Sequence, residues 1–200
     1  MYQLYEFTPS GNAYKIRLLL TQLDIPFKRI ELDITKGETD TPHFLKINPN
    51  ARIPVLEISP GCYLPESNAI MWYLAQGTQF LPTDKLQQAQ VLQWLFFEQY
   101  THEPNIATPR FWISILKQAD KYQVALKQKM ILGYEALAVM EKHLSDKLFF
   151  VGNQYSIADI GLYAYTHVAH EGCFDLSPFS AIQAWLKRVE SQPRYIRITD

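Results

Sequence analysis

Cysteine is nearly missing from this chain: Cys62 and Cys173 are the only two in 200 residues, one in each half. They form no Cys-x-x-Cys spacing and no secretory pattern accompanies them, so a disulfide framework is not expected and both are read as reduced thiols. An excess of charge of one sign is missing too. Nineteen basic residues face 20 acidic ones, a formal charge of −1, which excludes the strongly basic face of a nucleic-acid binder. Long hydrophobic runs are also lacking. No segment approaches the roughly 18 apolar residues of a membrane span, and Met1–Glu6 has no basic flank leading into an apolar stretch. The expectation is a soluble, cytoplasmic protein with neither a nucleic-acid nor a membrane partner. Internal repeats and low-complexity tracts are absent as well.

What is present falls into two compositional regimes. Residues 1–76 alternate strand and helix signals. Tyr2–Phe7 is a β-prone run closed by the turn cluster Thr8-Pro9-Ser10-Gly11, and Asn12–Leu23 carries Ile16, Leu19, Leu20 and Leu23 at helical spacing, with Lys15 and Arg17 on other faces. Phe27–Leu32, Val55–Ile58 and Cys62–Leu64 read as strands, Pro42–Ile47 and Glu66–Ala75 as helices. Residues 77–84 break the periodicity with glycine and proline and serve as a connection. Residues 85–200 read as helix throughout: Lys85–His102 and Arg110–Leu116 as one long helix broken at Pro104 and Pro109, then Asp120–Leu144, then a helix to about Ala169 opened by the capping-box pattern Ser156-Ile-Ala-Asp159, then Ser180–Ser191. The fold class is an α/β N-terminal domain followed by an all-α C-terminal domain.

Two stretches carry ligand chemistry. In Asn48-Pro-Asn-Ala-Arg-Ile-Pro-Val-Leu56 an X-Pro bond precedes a short apolar strand, a place where the cis form is tolerable. With Pro54 cis, the backbone of Ile53 offers a strand-like edge to an extended peptide. Glu66-Ser67 opens a helix, so the serine hydroxyl and the unpaired N–H groups of the helix start suit a carboxylate, while Glu66 suits an ammonium group. Together they fit a molecule with an α-amino acid at one end and a peptide amide in its middle.

Four landmarks in order, Ser10-Gly-Asn-Ala-Tyr-Lys-Ile-Arg17, Asn48–Leu56, Glu66-Ser67 and Ser156–Asp159, resemble the glutathione transferase superfamily over the whole chain. The resemblance implies a thioredoxin-like N-terminal domain, an all-helical C-terminal domain and glutathione as co-substrate rather than a bound cofactor. It further implies that Ile53, beside Pro54, pairs through its backbone with the cysteinyl part of glutathione, and that Glu66 and Ser67 hold the γ-glutamyl end. Ser10 stands where serine-type members carry the hydroxyl that stabilises the thiolate. Asn12 resembles the amide donor of bacterial members active on glutathione disulfides, and Tyr5 matches the tyrosine of another branch. Arg52 and Lys36 are the candidate cations for the glycine carboxylate, with Arg52 favoured because the Thr39-Asp40 positions lack the family's histidine or lysine. Tyr100, His102 and Trp112 are candidates for the second-substrate pocket. The implied activity is conjugation of the glutathione thiolate to small hydrophobic electrophiles, a detoxification chemistry, by a homodimer; the alternatives are glutathione-dependent disulfide or peroxide reduction and a non-catalytic binding protein. No metal is expected: His167, His170, Glu171 and Cys173 cluster in sequence, but histidines near a helix end usually satisfy carbonyls.

Overall fold

Strand alternation in the first segment yields a four-stranded mixed sheet. β1 (Tyr2–Glu6), β2 (Phe27–Glu31), β3 (Val55–Ser59) and β4 (Cys62–Pro65) lie in the order β2-β1-β3-β4. β1 runs parallel to β2 and antiparallel to β3, with Leu4 opposite Leu56 and Tyr5 opposite Val55. β4 returns antiparallel to β3, with Val55 opposite Pro65. The helices are α1 (Gly11–Gln22), α2 (Pro42–Ile47) and α3 (Ser67–Ala75). The computed structural model describes residues 1–200 and resolves into two compact units, Met1–Gln76 with Pro193–Asp200, and Gly77–Gln192. The first is a thioredoxin-like α/β unit and the second is helical.

The final residues correct the sequence-based boundary, which assigned everything after 85 to the helical part. Residues 193–200 cluster with the first unit because side chains of α1 and β2 hold their backbone: Tyr14 donates to the carbonyl of Ile196 at 2.7 Å, Arg17 to that of Ile198, and Arg29 to that of Asp200 at 2.9 Å. The two basic residues that the helical spacing sets on other faces of α1 are both enclosed. Lys15 and Arg17 do not face solvent; they are 0% and 1% exposed.

In the helical unit α4 (Lys85–Phe97) continues through a π-helical stretch at Glu98–His102 into α5 (Glu103–Arg110) and a second one at Phe111–Ile115. Pro104 and Pro109 therefore do not break the helix as the sequence suggests. Wide turns flank them and absorb the missing N–H groups. α6 (Gln123–Leu144) crosses α5 at Gly133, where a Cβ would lie 2.5 Å from the Phe174 ring and 3.1 Å from the carbonyl oxygen of Asn105. α7 (Ile157–Thr166) ends before the expected Ala169 and is buried along its whole length. Its capping box forms as read, with Asp159 accepting from the N–H of Ser156 at 3.0 Å, and Asp159 also receives the indole N–H of Trp185 from α8 (Ser180–Glu190) at 3.0 Å. No helix is long and apolar enough to cross a membrane.

Candidate functional site

The sheet topology brings the end of β1, the start of β3 and the end of β4 to one end of the sheet, because Tyr5 faces Val55 and Val55 faces Pro65. The β1–α1 turn, the Ile53-Pro54 pair and the Glu66-Ser67 corner follow directly from those ends.

Ser10 caps α1, its Oγ accepting the N–H of Ala13 at 3.3 Å. A hydroxyl that accepts still owns one proton to donate. The turn before it is pinned on several sides. Glu31 receives the N–H of Thr8 at 2.7 Å and its hydroxyl at 2.8 Å, Arg29 donates to the same hydroxyl at 2.8 Å, and Arg17 donates to the Thr8 carbonyl at 3.1 Å. Both guanidiniums are in turn paired with Glu6, which is fully buried.

Asn12 and Ser67, 55 positions apart, meet: the Ser67 hydroxyl donates to Asn12 Oδ1 at 3.1 Å. Lys15 Nζ donates to Ser67 Oγ and to Asn68 Oδ1, each at 3.3 Å. The starts of α1 and α3 thus converge, and neither has an acidic residue in its first turn. Two helix N-termini and a buried ammonium make this an electropositive corner suited to anions. Glu66 at the N-cap of α3 is exposed and holds φ 71° and ψ 110°, a backbone conformation L-residues rarely adopt. Such strain tends to collect where a ligand is held.

The Ile53–Pro54 bond is cis, as the sequence predicts. Ile53 lies just before the first ladder residue of β3 and packs on the Phe44, Ile47 and Val55 cluster. Asn48, buried, shapes the approach by donating to the Arg52 carbonyl at 2.8 Å and accepting the N–H of Asn50 at 3.1 Å. The Arg52 side chain is exposed. Lys36 is bound instead to Asp33 at 2.9 Å, and hydrogen bonds from Thr35 and Lys36 hold the Asp33 carboxyl down at about 2. Tyr5 turns to Glu57 and the Tyr63 ring; burial, with the Glu57 charge beside it, pushes its hydroxyl up to about 12. A phenol already donating to a carboxylate is a poor partner for a second anion.

The helical candidates differ in their surroundings. Tyr100 is 88% exposed, whereas His102 is 0% exposed, its Nε2 2.9 Å from the Thr166 hydroxyl. The pocket reading of His102 is corrected accordingly: it is a core residue. Trp112 stacks on Tyr122 at 4.2 Å. His167 bonds the Tyr163 carbonyl through Nδ1 at 2.8 Å and lies flat against that ring, while Glu171 pairs with Arg110 at 2.7 Å.

Reading the sequence alone missed Lys15. Helical spacing places a lysine one turn after Asn12 but not its burial against Ser67 and Asn68.

The glutathione S-transferase N-terminal domain model matches residues 1–76 and the glutathione S-transferase C-terminal domain model matches residues 104–193. The disulfide-bond oxidoreductase YfcG of Escherichia coli strain K12 is 32% identical over 200 residues, covering 96% of this chain and 92% of that protein. Among solved structures, a glutathione S-transferase from Pseudomonas fluorescens is 50% identical with a TM-score of 0.97 over 100% of this chain and 99% of its own. Ure2p in complex with glutathione, at 24% identity and a TM-score of 0.84 over 96% of this chain and 90% of its own, shares the fold.

Proposed function

Because the chain belongs to the glutathione S-transferase family, we propose that it binds glutathione at that end of the sheet and transfers it, as the thiolate, to small hydrophobic electrophiles. The observation that carries this reading is the meeting of Asn12 with Ser67 beside the Ser10 cap, at the joined starts of α1 and α3. A free thiol near pKa 8.5 is only a few per cent ionised at pH 7. Bringing it two units lower requires about 2.7 kcal/mol of preference for the anion, which one or two hydrogen bonds to a charged group supply. Ser10 and Asn12 are the assigned donors. Ile53, beside cis Pro54, pairs with the cysteinyl backbone, Glu66 holds the ammonium, and Ser67 with the α3 start holds the γ-glutamyl carboxylate. Arg52 takes the glycine carboxylate, with Lys36, engaged by Asp33, as the weaker choice.

In the reaction the thiolate sulfur forms a bond to the electrophilic carbon while the leaving group departs with the electron pair of the bond it breaks. Holding the anion poised and close is the catalysis required. Tyr100 and Trp112 are the aromatic residues proposed to touch the electrophile. The exposed strip of Phe96 and Tyr100, 68% and 88% exposed, is the surface a second copy would cover in a homodimer, and a reducing cytoplasm, with detoxification as the setting, suits both glutathione and the free cysteines.

Disulfide reduction is the second reading, favoured by Asn12 and by the likeness to YfcG. There the thiolate attacks one sulfur of a disulfide and the other sulfur leaves as a thiolate; a second glutathione thiolate then attacks the glutathione sulfur of the mixed disulfide, forming glutathione disulfide and expelling the remaining thiolate, without a protein cysteine. Turnover of a chlorinated aromatic, a mixed glutathione disulfide and an organic peroxide, measured side by side, decides between the two. Failure to bind glutathione by calorimetry overturns both.

A further inference from the structure

Helix α6 buries Gly133, Ala136, Leu137, Met140 and Leu144 and turns a different set of residues outward. Val124, Lys127, Ile131, Glu135, Ala138 and Lys142 are all exposed, and their spacings of three, four, four, three and four positions put them on one face. Val124 is 86% exposed and Ile131 is 62% exposed, so this face carries apolar surface that the chain itself leaves uncovered.

Read outward from Ile131, the two halves of the face match in position and oppose in charge. Lys127 lies four positions before Ile131 and Glu135 four after; Val124 lies seven before and Ala138 seven after. Asp120, exposed in the 3₁₀ turn that leads into the helix, and Lys142 lie eleven positions away on either side. None of the four charged side chains Asp120, Lys127, Glu135 and Lys142 makes an ion pair within the chain.

We propose that this face of α6 pairs with α6 of a second copy of the chain, antiparallel, about a twofold axis at Ile131. Such an axis, perpendicular to the helix, brings each residue level with the one equally far beyond Ile131 on the other copy. Lys127 is then level with Glu135 of the second copy and Glu135 with its Lys127, so the charge pair forms twice. Ile131 meets its own copy at the axis, and Val124 lies level with Ala138. A parallel pair sets Lys127 beside Lys127 and Glu135 beside Glu135, an arrangement that repulsion disfavours. The 22 residues of α6 span about 33 Å. One helix from each copy is a small contact, so the association is concentration-dependent and weakened by salt. It is independent of the glutathione reading and of the Phe96 and Tyr100 strip.

Sedimentation equilibrium of wild type, Ile131→Glu, Lys127→Glu, Glu135→Lys and the double variant Lys127→Glu/Glu135→Lys tests the pairing. All three positions are exposed, so the substitutions leave the core untouched. At high protein concentration wild type is expected to reach twice the mass of Ile131→Glu, whether or not the Phe96 and Tyr100 strip also pairs. Each single charge reversal turns two attractive pairs into two repulsive ones and should raise the dissociation constant roughly tenfold. The double variant exchanges the charges and should return to the wild-type value. Mixing Lys127→Glu with Glu135→Lys should restore association between the two variants, because each supplies the charges that the other needs. Equal masses for wild type and Ile131→Glu up to millimolar concentration overturn the proposal and leave the face to another occupant or to solvent. Single reversals that associate like wild type, a double variant no tighter than the singles, or a mixture that stays apart overturn it equally.

Discussion

Ser10 Oγ accepts the N–H of Ala13 at 3.3 Å, which occupies the oxygen as an acceptor and leaves its proton to be directed elsewhere. Cap and thiolate donor are therefore compatible duties of one hydroxyl. Ser10→Ala is expected to show both losses: a rise in the bound thiol pKa of roughly one to two units, and a drop in stability of about 1 kcal/mol from the missing cap. Titration of the thiolate band together with urea denaturation checks this, and a variant that loses only stability reduces Ser10 to a turn residue.

Glu66 separates function from folding in the opposite direction. Its φ of 71° costs about 1 to 3 kcal/mol for a side chain with a Cβ, and glycine removes that cost while giving back about 0.5 to 1 kcal/mol of chain entropy. Glu66→Gly should thus fold at least as stably as wild type. Glutathione affinity should nevertheless fall at least tenfold, as it should in Glu66→Gln, from loss of a charged hydrogen bond worth about 1.5 to 3 kcal/mol. Calorimetry with an unchanged affinity in both variants would falsify the ammonium assignment.

These two residues also mark how far the sequence is legible. The elements of the first unit follow from turn chemistry and alternation, and the cis Ile53–Pro54 bond and the Ser156–Asp159 capping box follow from short local patterns. Long-range polar pairing does not. That Asn12 meets Ser67, that Lys15 is buried and that Arg17 reaches the Ile198 carbonyl depends on which surfaces the last eight residues and α3 cover, and helical periodicity assigns a lysine or arginine to solvent by default. His102 fails in the complementary way. A histidine beside exposed Tyr100 reads as a pocket residue, but a π-helical turn rotates it into the core against Thr166.

The buried charges behind the Ser10 turn give a third prediction. Glu6 is 0% exposed and pairs with Arg17 and Arg29, and Arg17 also holds the Thr8 carbonyl and the tail. Glu6→Ala strands a buried guanidinium, a change that costs about 3 to 5 kcal/mol. The double variant Glu6→Leu/Arg17→Met removes both charges and should recover part of that loss. Deleting residues 193–200 takes away the carbonyl acceptors of Tyr14, Arg17 and Arg29, and should lower the denaturation midpoint and loosen the Thr8 turn, read as faster amide exchange at Thr8 and Ser10. Unchanged exchange there would show that the tail does not brace the turn.

The last prediction is a pair of opposed proton linkages within the helical unit. Burial pushes the Asp159 carboxyl from 3.8 up to about 6, against hydrogen bonds from Trp185, Phe150 and Ser156 that favour the anion. Folded chains therefore hold more protons than unfolded ones between about pH 4 and 6, and this group's contribution to stability falls as pH rises through that window, by about 3 kcal/mol in all. His167 is the reverse. Burial lowers it from 6.5 to about 4, so over nearly the same window the unfolded chain holds the extra proton and stability falls as pH drops, again by about 3 kcal/mol. His143, lowered by burial, acts in the direction of His167. The two larger effects nearly cancel in wild type and should be uncovered one at a time. Asp159→Asn should lose stability steeply on acidification from pH 6.5 to 4, whereas His167→Phe, which keeps the ring against Tyr163, should lose markedly less than wild type over the same range or gain. Denaturation midpoints at several pH values give the slopes directly, and parallel profiles for wild type and His167→Phe would mean that the imidazole titrates in the folded chain as it does in the unfolded one.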